Sequence, residues 1–135
     1  MIEKIFGSED RQVVVDVLVT DGDAKFIPCL ALWDTGAIAT NISKELVRKL
    51  QLSPVRYVNN YINDTVHNAG IYRVNIILED GTYFNVDAVE AELGMSDDPD
   101  VLIGMDIIRL GFFNICTYED GFKFSFGITP KIRNE

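Results

Sequence analysis

Short runs of β-branched and aromatic residues alternate with Asp-, Asn- and Gly-containing turns along nearly the whole chain. This rhythm constrains the fold more than any other feature of the sequence, because it predicts hairpins and not long helices. The valine-rich run 12–20 meets Asp21-Gly22-Asp23 and returns as the run 25–33. Pro28 inside the returning run predicts an edge or a bulge there, since proline cannot donate to a ladder. The runs 55–63 and 66–78 form a second hairpin around Asn63-Asp64-Thr65, and Asp80-Gly81 turns the chain into the run 82–91. A last hairpin joins 112–118 to 122–128 through Glu119-Asp120-Gly121. Two helical pieces interrupt the strands. Ser43 caps a helix to about Leu50, with Leu46, Val47 and Leu50 on one face, Glu45 early and Arg48 and Lys49 late, as the helix dipole prefers. A shorter piece near 105–110 stops at Gly111, and the stretch 95–100 reads as a solvated loop. The resulting expectation is an all-β barrel or sandwich with one or two short helices.

A chain of 135 residues has room for one domain, and nothing in it reads as a linker, so residues 1–135 are expected to form a single domain. Hydrophobic residues make up 47% of it and charged residues 24%, enough apolar mass to offset chain entropy. There is no apolar stretch of the roughly 20 residues a membrane-spanning helix needs, and Met1-Ile2-Glu3-Lys4 is not the start of a secretory signal. The chain therefore reads as a cytoplasmic protein. Twelve basic residues against 21 acidic ones give a net charge of −9, which argues against a nucleic-acid partner and against an anionic membrane surface. Cys29 and Cys116 both lie in apolar runs and read as small buried hydrophobes in a reducing compartment. With His67 the sole histidine and no cysteine cluster, neither a metal site nor a cofactor is expected.

The chemistry concentrates at Ala31-Leu32-Trp33-Asp34-Thr35-Gly36-Ala37. An apolar strand runs directly into an aspartate, then a hydroxyl residue, then a glycine. The strand fixes the carboxylate, Thr35 can fix the loop, and Gly36 lets a ligand approach the backbone. Alone, such an aspartate suits a metal ligand, a general base or half of a carboxylate pair, or simply ends a strand in an ordinary turn. Some seventy residues later, Val101-Leu102-Ile103-Gly104-Met105-Asp106 again takes a short apolar strand to a glycine and into a helix.

The two motifs together, Leu32-Trp33-Asp34-Thr35-Gly36-Ala37 and Leu102-Ile103-Gly104, resemble the retropepsin-like aspartic protease family over about residues 12–128. The resemblance implies a closed acid-protease barrel with a flap hairpin. It also implies an aspartic endopeptidase that works as a homodimer on peptide or protein substrates. Each subunit would supply one catalytic Asp34. The pair would share a proton and activate a water without a metal or a covalent intermediate. Thr35 would interlock with its symmetry mate, Gly36 and Ala37 would meet the substrate backbone, and Leu102 and Ile103 would pack beneath the loop. The hairpin 57–77 would be the flap, with Tyr61, Asn63, Asp64 and Thr65 at its tip. Asp97 and Asp98 could form a rim that favours basic substrates. His67 reads as a surface polar group and Trp33 as core.

The sequence departs from the retroviral pattern at two places. Ile38 stands where retroviral enzymes carry a second aspartate that binds substrate backbone. The flap tip lacks glycines, and Gly70 lies on the returning arm instead. The competing expectation is a catalytically silent relative that holds extended peptides by strand addition or serves as a dimerisation module.

Overall fold

Valine at every second position makes the segment Val14–Thr20 bury Val15, Val17 and Val19 while Asp16 and Leu18 face outward. In the computed structural model, which describes residues 1–62, 64–93 and 98–128, this segment is the second of ten strands. β1 is Ile2–Phe6, β2 Val14–Thr20, β3 Phe26–Trp33 and β4 Asn41–Ser43; helix α1 follows over Lys44–Leu50. β5 is Arg56–Ile62, β6 Thr65–Ile77, β7 Tyr83–Ala91 and β8 Val101–Ile103; α2 spans Met105–Ile108, and β9 Phe112–Tyr118 and β10 Gly121–Gly127 complete the order.

Each hairpin foreseen from the turns is present. β2 pairs with β3 from Val14↔Leu32 to Thr20↔Phe26, around a turn in which Gly22 has a φ of 95°. β5 pairs with β6 from Arg56↔Ile71 to Ile62↔Thr65, and Asp64, just before β6, adopts a φ of 62°. Aspartate tolerates that left-handed region better than most residues, which is how the tip closes without glycine. β6 then pairs with β7 from Ile71↔Val89 to Ile77↔Tyr83. Tyr118↔Gly121 closes the β9–β10 turn.

The seven-stranded sheet runs β2-β3-β8-β4-β7-β6-β5, and a further pairing of β2 with β6 at Leu18↔Ile77 returns the sheet on itself. The closed barrel with a projecting β5–β6 hairpin is therefore the architecture found. Pro28 sits in the part of β3 that pairs with β2 alone, because β8 reaches only residues 31–33. A second sheet, β1-β10-β9, packs against the barrel. Trp33 lies between the two, with ring centroids 4.6 Å from Phe126, 5.1 Å from Phe124 and 6.0 Å from Phe113. Burying side chains of this size stabilises a fold by about 1.5–3 kcal/mol each, and Phe124 and Phe126 are completely enclosed.

α1 matches its sequence signals. The Ser43 hydroxyl accepts from the Leu46 amide, Leu46 and Leu50 are buried, and Glu45 and Arg48 pair along the exposed side. β1 and β4 were not foreseen: three residues of β4 are indistinguishable from a helix cap, and β1 exposes its middle residues. α2 stops at Ile108, short of Leu110. The expectation that both cysteines are buried fails for Cys116, which is exposed on β9. An apolar neighbourhood in sequence does not bury a residue on the outer face of a sheet. Cys29 is half-buried, and burial, with Asp100 adding and Lys49 opposing, pushes its thiol up to about 12.

Candidate active site

β3 and β8 are parallel neighbours, with Ala31↔Val101, Leu32↔Leu102 and Trp33↔Ile103 in register. The two motifs seen far apart in sequence thus lie side by side, and both apolar triplets end at the same level, at Asp34 and Gly104. The Asp34 amide extends the pairing by donating to the Ile103 carbonyl at 2.8 Å. β4 flanks the other side of β8, antiparallel, with Asn41↔Leu102 and Ile42↔Val101. The segment from Asp34 to Thr40 is therefore a loop that crosses over the end of β8.

Within that loop the Asp34 carboxylate is half-buried, while Thr35 and Gly36 are exposed. The Gly36 amide donates to Asp34 Oδ1 at 2.8 Å, and the Ala37 amide donates to the Asp34 carbonyl at 3.2 Å. A Cβ at Gly36 would stand 3.2 Å from Asp34 Oδ1, so a side chain there would press on the carboxylate. One oxygen is thus held by the loop's own backbone.

The loop is tied from beneath by the start of α2. The Met105 amide donates to the Ala37 carbonyl at 2.7 Å and the Asp106 amide to the Ile38 carbonyl at 3.2 Å. Asp106 also receives the Thr40 amide at 3.0 Å and the Thr40 hydroxyl at 2.8 Å, and Thr40 is fully buried. The Gly104 amide donates to the same hydroxyl at 3.3 Å. A Cβ at Gly104 would meet the Ala39 carbonyl oxygen at 2.6 Å and that of Ala37 at 2.9 Å, so only glycine lets the loop lie this close. Sequence reasoning missed Thr40 and Asp106. The signal was a carboxylate in the first turn of a helix just after Leu-Ile-Gly, which also reads as an ordinary dipole-matching residue.

Beside the loop, Leu32 and Leu102 line a depression of about 180 Å³ together with Leu93, Val101 and Pro99, and Gln12, Glu92 and Asp98 stand among its lining. Of the two aspartates expected to form an acidic rim, Asp98 is among this lining and Asp97 lies outside the described residues. Of the flap residues, Asp64 and Thr65 occupy the exposed end of the β5–β6 hairpin; Asn63 lies outside the described residues, and Tyr61 is placed only by its β5 backbone. His67 is exposed, as expected of a surface polar group. Gly70 lies on the returning strand β6, away from the turn. It makes room for Tyr72, whose hydroxyl would lie 2.7 Å from a Cβ there and donates to Glu90 at 3.2 Å. Ile38, within the loop, is 88% exposed.

No family model and no curated protein matches the chain. Among solved structures, a retropepsin-like aspartic protease from Rickettsia conorii is similar, at 19% identity and a TM-score of 0.53, over 90% of this chain and 89% of that one. The EIAV protease complexed with the inhibitor HBY-793 is similar over 75% of this chain and 88% of that one, at 21% identity and a TM-score of 0.48. The ring of strands, the β3–β8 pairing beneath the Asp34 loop and the match along nine-tenths of the chain lead to one conclusion: this chain has the retropepsin-like fold.

Proposed function

We propose that residues 1–135 form a single domain that is one half of an aspartic endopeptidase, active as a homodimer with one Asp34 from each chain. The observation that carries this reading is the Asp34 loop itself. Its carboxylate is half-buried, fixed through one oxygen by Gly36, and flanked by exposed Thr35 and Gly36, on a base fastened by Thr40, Gly104 and Asp106. A loop this well anchored yet open on its outer side suits a site completed by a second copy.

In the dimer the two carboxylates share one proton, since adjacent like charges cannot both ionise easily. The ionised Asp34 accepts a proton from a water held between them, and the oxygen of that water bonds to the scissile carbonyl carbon. The protonated Asp34 donates to the carbonyl oxygen. The tetrahedral diol then collapses: the amide nitrogen takes up a proton and the C–N bond breaks, releasing an acid and an amine. The Thr35 pair keeps the two loops in register, and Gly36 and Ala37 present backbone to an extended peptide, which the β5–β6 hairpin covers.

The depression at Leu32 and Leu102 offers an apolar side-chain subsite, with Glu92 and Asp98 favouring a basic neighbour in the substrate. Two free thiols, one of them held protonated by burial, suit a reducing compartment and so a cytoplasmic location.

Asp34→Asn tests the reading. It should abolish cleavage of an unfolded protein substrate, a loss of at least about 10³-fold, while circular dichroism and the oligomeric state stay as in the parent. A statine-type transition-state analogue should inhibit the parent. Full activity of the variant contradicts the mechanism. Tight peptide binding without turnover by the parent supports the silent binding module instead.

A further inference from the structure

An apolar row crosses the seam where the barrel closes. Register places Pro28 on β3 beside Leu18 on β2, Leu18 beside Ile77 on β6, and Ile77 beside Tyr83 on β7. Side chains at directly paired positions point to the same face, so these residues form one continuous row, about 14 Å long at the usual spacing between strands. The face is the outer one: Val17 and Val19 are buried, whereas Leu18 between them is 38% exposed and Tyr83 68%. Phe26, two positions before Pro28 and so on the same face, is 52% exposed. Two hollows lie along the row. One, of about 500 Å³, has Asp16, Leu18, Pro28, Ile77 and Glu79 in its lining. The other, of about 250 Å³, has Thr20, Phe26, Asn75, Ile77 and Tyr83. Both include Ile77 and Gly81, so they are parts of one groove.

We infer that this groove docks a segment of another protein that carries apolar side chains between lysine or arginine residues. The site is separate from the Asp34 loop, because Asp34 lies about 20 Å from Pro28 along the same strand direction.

Charge selects the occupant. Asp16 and Glu79 stand in the lining, and Asp21 and Asp23 flank Gly22, which also lines the groove. Among the described residues, none of these four carboxylates forms an ion pair, and no lysine or arginine lines either hollow. Lys25, next to Phe26 in the chain, gives its ammonium to Gln51 at 2.7 Å. Asp80 is already matched by the Met1 ammonium at 3.0 Å. An acidic rim around an apolar floor repels a second copy of a chain whose net charge is −9, and an anionic membrane equally. It attracts lysine and arginine, while the floor takes the apolar side chains between them. Phe26 and Tyr83 offer rings on which a guanidinium can stack. The occupant binds through its side chains and not as an added strand. The main chain of β2 and β6 under the row is paired on both sides, and Pro28 blunts the open side of β3.

Selection from a random dodecapeptide phage library tests the inference. One bait is Asp34→Asn, chosen so that no displayed peptide is cut. The other adds Leu18→Gln and Tyr83→Ser, both outward-facing. Peptides that enrich on the first bait and not on the second should carry apolar residues flanked by lysine or arginine. A synthetic copy of the most enriched one should bind the Leu18→Gln protein at least about tenfold more weakly. Asp16→Asn with Glu79→Gln should weaken it less, by about threefold, and should flatten its dependence on salt. A second measurement does not depend on those variants folding. In isotope-labelled Asp34→Asn protein, the same peptide should shift the amide resonances of Leu18, Phe26, Ile77 and Tyr83 and leave those of Thr35, Gly36 and Ala37 in place. Three results overturn the inference: no peptide that distinguishes the baits, enriched peptides that are acidic or uncharged, or shifts confined to the Asp34 loop and the β5–β6 hairpin. Self-association of the parent that Leu18→Gln abolishes makes a second copy the occupant and overturns it as well.

Discussion

At Gly104 the polypeptide comes so close to the Asp34 loop that a methyl group would meet backbone carbonyl oxygens, which cannot swing aside as a side chain can. Gly104→Ala should therefore destabilise the fold by about 1–3 kcal/mol, the usual cost of overpacking a close contact, read as a lower urea midpoint. On the proposed mechanism, activity should fall further than stability explains, because the displaced segment is the Asp34 loop. Thr40 and Asp106 make a related but separable case. Thr40→Val keeps the shape of a fully buried side chain but removes a hydroxyl that donates to Asp106 and accepts from Gly104. Leaving those partners unpaired should cost about 1–3 kcal/mol. If the clamp positions Asp34, kcat should drop while KM stays close to the parent value, and Thr40→Ser should restore most of it. Asp34 and Ser43 were legible in the sequence because each sits at a strand or helix end where few residue types serve. Thr40 and Asp106 were not, since their partnership spans 66 positions and depends on two loops meeting. Cys116 was misread because its neighbours are apolar on both faces of an edge strand, where alternation carries no signal.

Among the elements, the β5–β6 hairpin depends on its attachment to the barrel. Asp87 on β7 accepts from Arg73 of β6 at 3.0 Å and Arg56 of β5 at 3.1 Å, so one carboxylate ties three strands at the base of the flap. The Arg73 hydrogen bond, opposed by partial burial and helped by Arg56, holds this carboxyl below its ordinary value. A depressed folded-state pKa means stabilisation that is complete above the unfolded value of about 3.9 and is lost as pH falls through the folded one. The flap base should therefore loosen in acid below about pH 4. Backbone hydrogen exchange in β5 should rise there in the parent, whereas in Asp87→Asn it should already be faster at neutral pH and change less on acidification. The effect on global stability should stay under about 1 kcal/mol, because the groups are largely solvated. Turn residues made the hairpins legible one by one. Closure of the sheet was not legible from spacing, because the β2–β6 and β3–β8 pairings join residues dozens of positions apart. The three-residue strands β4 and β8 acquire their identity only from neighbours.

For the whole molecule, the proposed mechanism takes one Asp34 carboxylate from each chain and so requires two chains per site. Specific activity should fall on dilution below the dissociation constant. Its pH dependence should be bell-shaped and peak on the acid side, as a shared proton requires, and a rate that climbs steadily to pH 9 contradicts a carboxylate pair. The most direct measurement mixes chains. Wild-type protein at fixed concentration, above its dissociation constant, is equilibrated with increasing amounts of Asp34→Asn, and cleavage is followed. Mixed dimers hold one carboxylate, so an equal mixture should retain about half the activity and a large excess of the variant almost none. Activity that stays constant however much Asp34→Asn is added would show that each chain works alone, and the two-chain active site would be wrong.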